Sequence, residues 1–381
     1  MSHASAVHAK PPGQWAVPID ARPPRSAALQ TALFALYFNA CILVTHATQY
    51  LFVPLAVLPA TRPYFHAGIR YTKHAFGRLI VAITQFFAPT KLVLTCEGAR
   101  AAAVVRTDKK GRFAGLDLPR RGVWMSNHQV YTDWLYLWNI AYFADLADSI
   151  TIILKASLKW IPFIGWGMQF FGFYFIDRSN SDEASLGKFL RGLGRAQNGK
   201  LLLLIFPEGT LVSKLTRPKS AAFAEKEGIE DLKNLLLPRS TGLWTCLRGL
   251  RDVEDLELVD FTMGYPGIPP AGYGQSYYTL TSIFMQGVPP PAVHMHVRIT
   301  PARELPLDDR AKFDAWVLQT WRDKDALLDG FYETGVFPVS EKGSVARAEV
   351  PIKLRGIREL GDICCWAAPI WLGWALYRLL R

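Results

Sequence analysis

The stretch "SNHQVYTDW" (126–134) places His128 five residues before Asp133. An imidazole changes charge near neutral pH, so it can take a proton from an alcohol and give it back. A carboxylate at this spacing can reach one ring nitrogen and fix the tautomer, which leaves the other nitrogen to act as a general base. The same two side chains could equally satisfy backbone groups in an ordinary loop. A nucleophilic hydrolase would need a serine on a G-x-S-x-G elbow, and the chain has none. A His–Asp pair without an enzyme nucleophile suits direct transfer, with the acceptor's own hydroxyl attacking.

Two further segments carry chemistry. "LLLLIFPEGTLVSK" (201–214) reads as a strand apolar on both faces, as in the middle of a parallel sheet, ending in Pro207-Glu208-Gly209-Thr210. Turns that follow such strands lie at the carboxyl edge, where open α/β sheets bind ligands. Gly209 permits close backbone approach there, and Glu208 can accept from a hydroxyl or order a basic neighbour. "GFYFIDR" (172–178) delivers Asp177 and Arg178 to another strand end, where a guanidinium could hold a phosphate bidentately or form a surface salt bridge. Lys155 and Lys159 precede the apolar run 161–171, a cationic face that would suit phosphates or simply water; the run itself would line an acyl channel or ordinary core.

These segments need a scaffold, and the patterning supplies one. Short apolar runs at 92–97, 122–126, 151–154, 172–176, 200–206, 258–264 and 293–300 read as strands. Helical patterns at 131–144, 181–197, 219–227 and 312–331 alternate with them. The expected fold class is α/β, a layered and mainly parallel sheet with flanking helices. The Pro/Gly-rich stretch 264–274 reads as a surface or membrane-facing loop.

Outside this region the texture changes. Residues 1–26 are rich in Ala, Pro and His and read as a disordered N-terminus. From Ser26 to Thr61 there is no charged residue, a length exceeding the roughly 20 residues that cross a bilayer core. With the amphipathic stretch after it, 27–88 is expected to be a membrane-embedded anchor, as a span or a re-entrant hairpin. The catalytic domain then occupies 89–340. The tail 341–381 ends in "ICCWAAPIWLGWALYRLLR" and reads as a membrane-associated, interfacial helix. Twelve tryptophans and a net charge of +11 favour an anionic membrane surface over a freely soluble life. The basic residues are spread along the chain, which disfavours nucleic acid. The five cysteines form no metal-ligand spacing and suggest buried, reduced thiols.

The order and spacing of 127–133, 172–178 and 206–210 resemble the first three motifs of the glycerophospholipid acyltransferase family. "ILKASLKWIPFIGWGMQFFGFYFIDRSN", "LLPRSTGL" (236–243) and "WVLQTWRDKDALLDGFYETGVFP" (316–338) are similar to its eukaryotic subgroup, which includes lysophosphatidic acid, lysocardiolipin and lysophosphatidylinositol acyltransferases. The resemblance spans about residues 85–340. It implies that His128 is the base, that Asp133 orients it, and that a lysophospholipid hydroxyl attacks an acyl-CoA thioester without an acyl-enzyme. Arg178, Glu208, Gly209 and Thr210 would then hold the acceptor's head, and Pro238 and Arg239 would lie near the acyl donor, with Lys155 towards its phosphates. Asn127 and Gly172 would shape the site. Acyl-CoA is a co-substrate; no cofactor or metal is expected, and the endoplasmic reticulum membrane is the expected location. Leu211 follows Thr210 where many members carry arginine. That departure leaves the acceptor open, with Arg178, Arg217 or Arg239 as substitutes for the missing contact. A lipid hydrolase or transacylase, and a silent lipid-binding protein, remain the rival readings. Two motifs are set aside: "GRAQNGK" (194–200) lacks the Ser/Thr of a phosphate loop, and "HMH" (294–296) has no third ligand.

Overall fold

The computed structural model describes residues 16–22, 26–177, 183–195, 199–339 and 345–379. In chain order, helices α1 (Ala28–Phe52) and α2 (Arg62–Phe87) precede strand β1 (Lys91–Glu97). A short α3 (Ala101–Val104), β2 (Val105–Thr107), β3 (Phe113–Leu116) and β4 (Arg121–Ser126) follow. Next come α4 (Asp133–Phe143), β5 (Ile150–Lys155), α5 (Ile164–Phe170), β6 (Tyr174–Ile176), α6 (Glu183–Gly194) and β7 (Leu201–Ile205). The second half runs α7 (Arg217–Glu227), α8 (Ser240–Gly249), β8 (Glu257–Gly264), β9 (Val293–Pro301) and α9 (Arg310–Thr334). It closes with β10 (Val345–Pro351), α10 (Arg358–Ile363) and α11 (Ala368–Leu379).

Eight strands form one sheet in the order β10-β1-β9-β8-β4-β7-β5-β6. Five of its seven pairings are parallel; β10 with β1 and β8 with β9 are antiparallel. β2 and β3 form a separate two-stranded ribbon. β7 is buried along its whole length, because helices cover both faces of the sheet centre and leucine can fill both. All seven strands expected from the sequence are present. The strand expected at 172–176 starts only at Tyr174, since Gly172 sits at φ +71°, outside extended geometry.

The parallel run β8-β4-β7-β5-β6 decides where chemistry can occur. Its strands share a direction, so the residues after each of them emerge at one carboxyl edge. His128 follows β4, Glu208 follows β7, α5 follows β5, Asp177 follows β6, and Tyr265 follows β8.

Within the stretch 27–88, α2 packs on α4 and α10, and its residues from Leu79 to Ile83 are part of the main core. Among the described residues, only the helix that begins at Ala28 is long and apolar enough to cross a bilayer by length and composition, and it pairs with α2 as a hairpin. The close approach uses Gly68, where a Cβ would sit 2.5 Å from the Phe52 ring. The tail opens with β10, an edge strand on β1, and only then reaches α11, which lays Trp371 against Phe52 and Tyr64. The loop 264–274 is mostly half-buried, with Tyr265 and Ile268 in the interior and Ala271 exposed.

Helix α9 spans the catalytic sheet on one face. Asp309 caps its first turn by accepting from the Lys312 N–H at 3.1 Å, and Gly335 ends it at φ +77°. Near its middle Lys324 is fully buried, paired with Asp260 of β8 and donating to the Phe261 carbonyl at 2.6 Å. Truncating one partner of a buried pair strands the other charge. Lys324→Ala is therefore expected to cost about 3–5 kcal/mol of unfolding free energy, read from denaturant titration of the detergent-solubilised protein. Lys324→Met combined with Asp260→Leu should recover most of that loss.

Candidate active site

β4 ends at Ser126, and the next residues form a tight turn, mostly buried apart from Tyr131 and the edge of His128. Asn127 is buried; its amide accepts from the Met263 N–H at 2.7 Å and donates to the Met263 carbonyl at 3.0 Å. A side-chain amide thus extends the β4–β8 pairing beyond the last backbone pair, Ser126 with Phe261. That bond fixes where the chain leaves the sheet, and His128 is the next residue.

The His128 Nδ1 lies 2.8 Å from Asp133 Oδ2. The same oxygen accepts from the N–H groups of Gln129 at 2.7 Å and Val130 at 3.1 Å. Asp133 starts α4, where the helix's unpaired N–H end favours an anion. Its Oδ1 accepts from the Tyr265 hydroxyl. A fully buried carboxylate is tolerable only when its lone pairs are met by donors, and here four are supplied. The His128 side chain keeps 18% exposure, and no described residue bonds its Nε2. The ring stacks on Phe206 at 4.2 Å between centroids.

The segment after β7 grips His128 by its backbone. Glu208 Oε1 accepts from the His128 N–H at 2.9 Å, and the Val212 N–H donates to the His128 carbonyl at 3.3 Å. Glu208 Oε2 accepts from the Leu236 N–H at 3.1 Å, and the Arg239 N–H donates to the Pro207 carbonyl at 2.8 Å. Glu208 is buried, with both oxygens committed to main chain. It braces the site from behind, whereas the sequence reading had it touching the acceptor's head. Gly209 takes φ +69° to turn the chain after this contact, and Thr210 is exposed beside it.

The basic residues divide. Arg178 lies outside the described residues. Arg217 is not available as a substitute for the absent arginine, because its guanidinium donates to the carbonyls of Leu232, Lys233 and Leu235. Leu211 is buried. Arg239 is exposed beside the half-buried Pro238, at the same edge as His128. Lys155 is exposed at the end of β5. Gly172 is exposed, with open space where a Cβ would stand, so its positive φ is what favours glycine. His296 is held by Glu97 at 3.1 Å. The sequence reading overlooked Tyr265 altogether; the available signal was a tyrosine directly after a strand that runs parallel to β4.

Burial pushes the Glu208 carboxyl up to about 8, against the opposing pull of the Leu236 and His128 N–H groups. The native state then holds a proton that the unfolded chain releases near an ordinary glutamate value, so stability falls as pH rises through that window. Between about pH 5 and pH 8 the wild type should lose thermal stability relative to Glu208→Gln, whose amide cannot titrate. Melting temperatures of the two proteins at four pH values check this; parallel curves would refute it.

A family model described as Acyltransferase matches residues 112–251, and a second, Acyltransferase C-terminus, matches 284–366. An uncharacterized acyltransferase of Schizosaccharomyces pombe is 34% identical over 73% of this chain and 78% of its own length. The 2-acyl-1-lysophosphatidylinositol acyltransferase of Saccharomyces cerevisiae is 34% identical over 71% of this chain and 76% of its own length. Lysocardiolipin acyltransferase 1 of Danio rerio is 34% identical over 56% of this chain and 53% of its length. The first family match begins just before β3 and ends after α8, enclosing the His128–Asp133 turn and the Glu208 brace. With two relatives sharing a third of their residues along most of both chains, this protein belongs to the acyltransferase family.

Proposed function

We propose that the chain transfers a fatty acyl group from acyl-CoA to the free hydroxyl of a lysophospholipid at a membrane surface, with a phosphoinositol head as the acceptor. The observation that carries the chemistry is the 2.8 Å bond between His128 Nδ1 and the buried Asp133, which leaves Nε2 as a proton acceptor at a partly open strand edge. Nε2 takes the acceptor's O–H proton as the oxygen attacks the thioester carbonyl. The tetrahedral intermediate collapses, the C–S bond breaks, and the imidazolium returns the proton to the CoA thiolate. No acyl-enzyme is needed.

Two points support this acceptor. Leu211 stands where many family members carry arginine, which removes one contact to a bare phosphate. Relatives named for lysophosphatidylinositol occur in both yeast and Caenorhabditis elegans. Arg239 supplies the exposed guanidinium for the phosphodiester.

Exposed apolar surface supports the membrane part of this reading. Leu29, Leu36 and Leu43 line the open face of α1, Trp160 and Phe163 project before α5, and Trp374 projects from α11. Exposed large apolar side chains on three separate elements are what a membrane contact surface would present. Both the lysolipid and the acyl chain partition into a bilayer, whereas the CoA head stays in water, so an interface brings the three together.

Membranes carrying the protein should incorporate labelled oleate from oleoyl-CoA into lysophosphatidylinositol in preference to lysophosphatidic acid or lysocardiolipin. His128→Ala should lower kcat by about 10²–10⁴-fold. Arg239→Ala should raise KM for the lysolipid about tenfold with kcat retained. Free CoA released without any lysolipid would point to a hydrolase instead. Unchanged acylation in His128→Ala would leave a lipid-binding protein as the better account.

A further inference from the structure

Tyr265 is the first residue beyond β8 and is fully buried. Its hydroxyl donates to Asp133 Oδ1 across 132 residues of sequence. The three other donors to this carboxylate, Nδ1 of His128 and the N–H groups of Gln129 and Val130, all meet Oδ2. Tyr265 is thus the described residue that reaches Oδ1, and it comes from a different strand end. The other donors all belong to the turn between β4 and α4.

We infer that Tyr265 is a positioning residue for acyl transfer: its phenol fixes the plane of the Asp133 carboxylate and draws charge away from it, setting how tightly that carboxylate holds a proton on His128. This rests on the proposed general-base role of His128. A carboxylate can rotate about its Cβ–Cγ bond, and rotation would carry Oδ2 away from Nδ1. Donors on both oxygens prevent it. Each donor also shares the negative charge that would otherwise stabilise the imidazolium.

The surroundings leave few competing charges. Tyr136 of α4 packs at 6.2 Å and Tyr278 at 6.0 Å between ring centroids. Burial raises the phenols of Tyr265, Tyr136 and Tyr278, so all three are neutral near pH 7. Arg22 lies beyond Tyr278, donating to the Tyr277 carbonyl at 2.5 Å. Glu208 stands on the far side of His128, with Lys324 behind it. Among the described residues, then, Asp133 is the carboxylate bonded to the ring and Tyr265 the neutral group that modulates it.

A buried tyrosine needs some partner, so a purely structural role would give the same contact. The pH profile separates the two. In membranes carrying the full chain, Tyr265→Phe removes the donor and leaves more charge on Asp133, which retains the imidazole proton to higher pH. The acid limb of kcat/KM should move up by about 0.5–1 pH unit, with kcat on the plateau down by about tenfold and KM for both substrates unchanged. Replacing Tyr265 by 3-fluorotyrosine keeps the shape and strengthens the donor, so the limb should move down. This second variant keeps the test decisive if the phenylalanine protein folds poorly. Superimposable limbs in the folded variants, or an effect confined to KM or melting temperature, would overturn the inference. His128→Ala is run alongside. If it retains acylation, the general-base reading itself fails; if it is inactive while the tyrosine variants keep the wild-type limb, only the role of Tyr265 fails.

Discussion

A carboxylate with no access to water organises this site. Asp133 is buried, and an ionised carboxyl in such a place survives only if donors replace its hydration. Two main-chain N–H groups, an imidazole and a phenol do so here. Satisfying Oδ2 requires residues 128–130 to curl over the start of α4, so the conformation of the turn follows from the charge it encloses. Satisfying Oδ1 requires β8 to end beside β4, which their parallel pairing provides. Local turn and long-range sheet order meet at one functional group.

The second motif serves the same end from the other side. Phe206 stacks on the His128 ring, Glu208 holds its N–H, and Val212 holds its carbonyl. The segment after β7 is therefore a cradle for the histidine before it is anything else. Its neighbour in the sheet, β5, sends its carboxyl end into the exposed apolar stretch before α5. There His46 of α1 lies 2.5 Å from the Phe163 carbonyl, and Phe163 itself takes φ +62°. The apolar helix α1 is in this way tied to the edge that carries the histidine. Under the proposed membrane docking, such a link sets the height of the reacting atoms above the lipid, because α1 and the 160–166 loop cannot sink independently.

The sequence revealed the strands and the principal pair because both depend on local pattern. β7 announces itself as five consecutive aliphatic residues, and the five-residue interval from His128 to Asp133 already implies mutual reach. What depends on distant packing could not be read. Nothing near Glu208 in sequence says that its oxygens meet the N–H groups of residues 128 and 236, so an acidic residue in a turn was taken for a substrate contact. Arg217 looked available because its acceptors are the bare carbonyls of 232–235, which a residue string does not display. Tyr265 was hidden by its company: the glycines and prolines of 264–274 suggest a surface loop, and only the sheet order turns its first residue inward. β10 was missed for a similar reason, since "VARAEVP" has weak alternation and lies next to a strongly apolar tail.

The two acidic residues flanking His128 perform different work because their burial is relieved differently. Asp133 has four donors, including the imidazole and the phenol. Glu208 has two main-chain donors, and burial together with the nearby Asp133 raises its carboxyl towards neutrality. Were both fully ionised, two negative charges would bracket one imidazole. A Glu208 carboxyl that stays largely protonated still bonds the His128 main chain, since either form offers oxygen acceptors. The site thereby gains two anchors for one histidine, one carboxyl bonded to its ring and the other to its main chain.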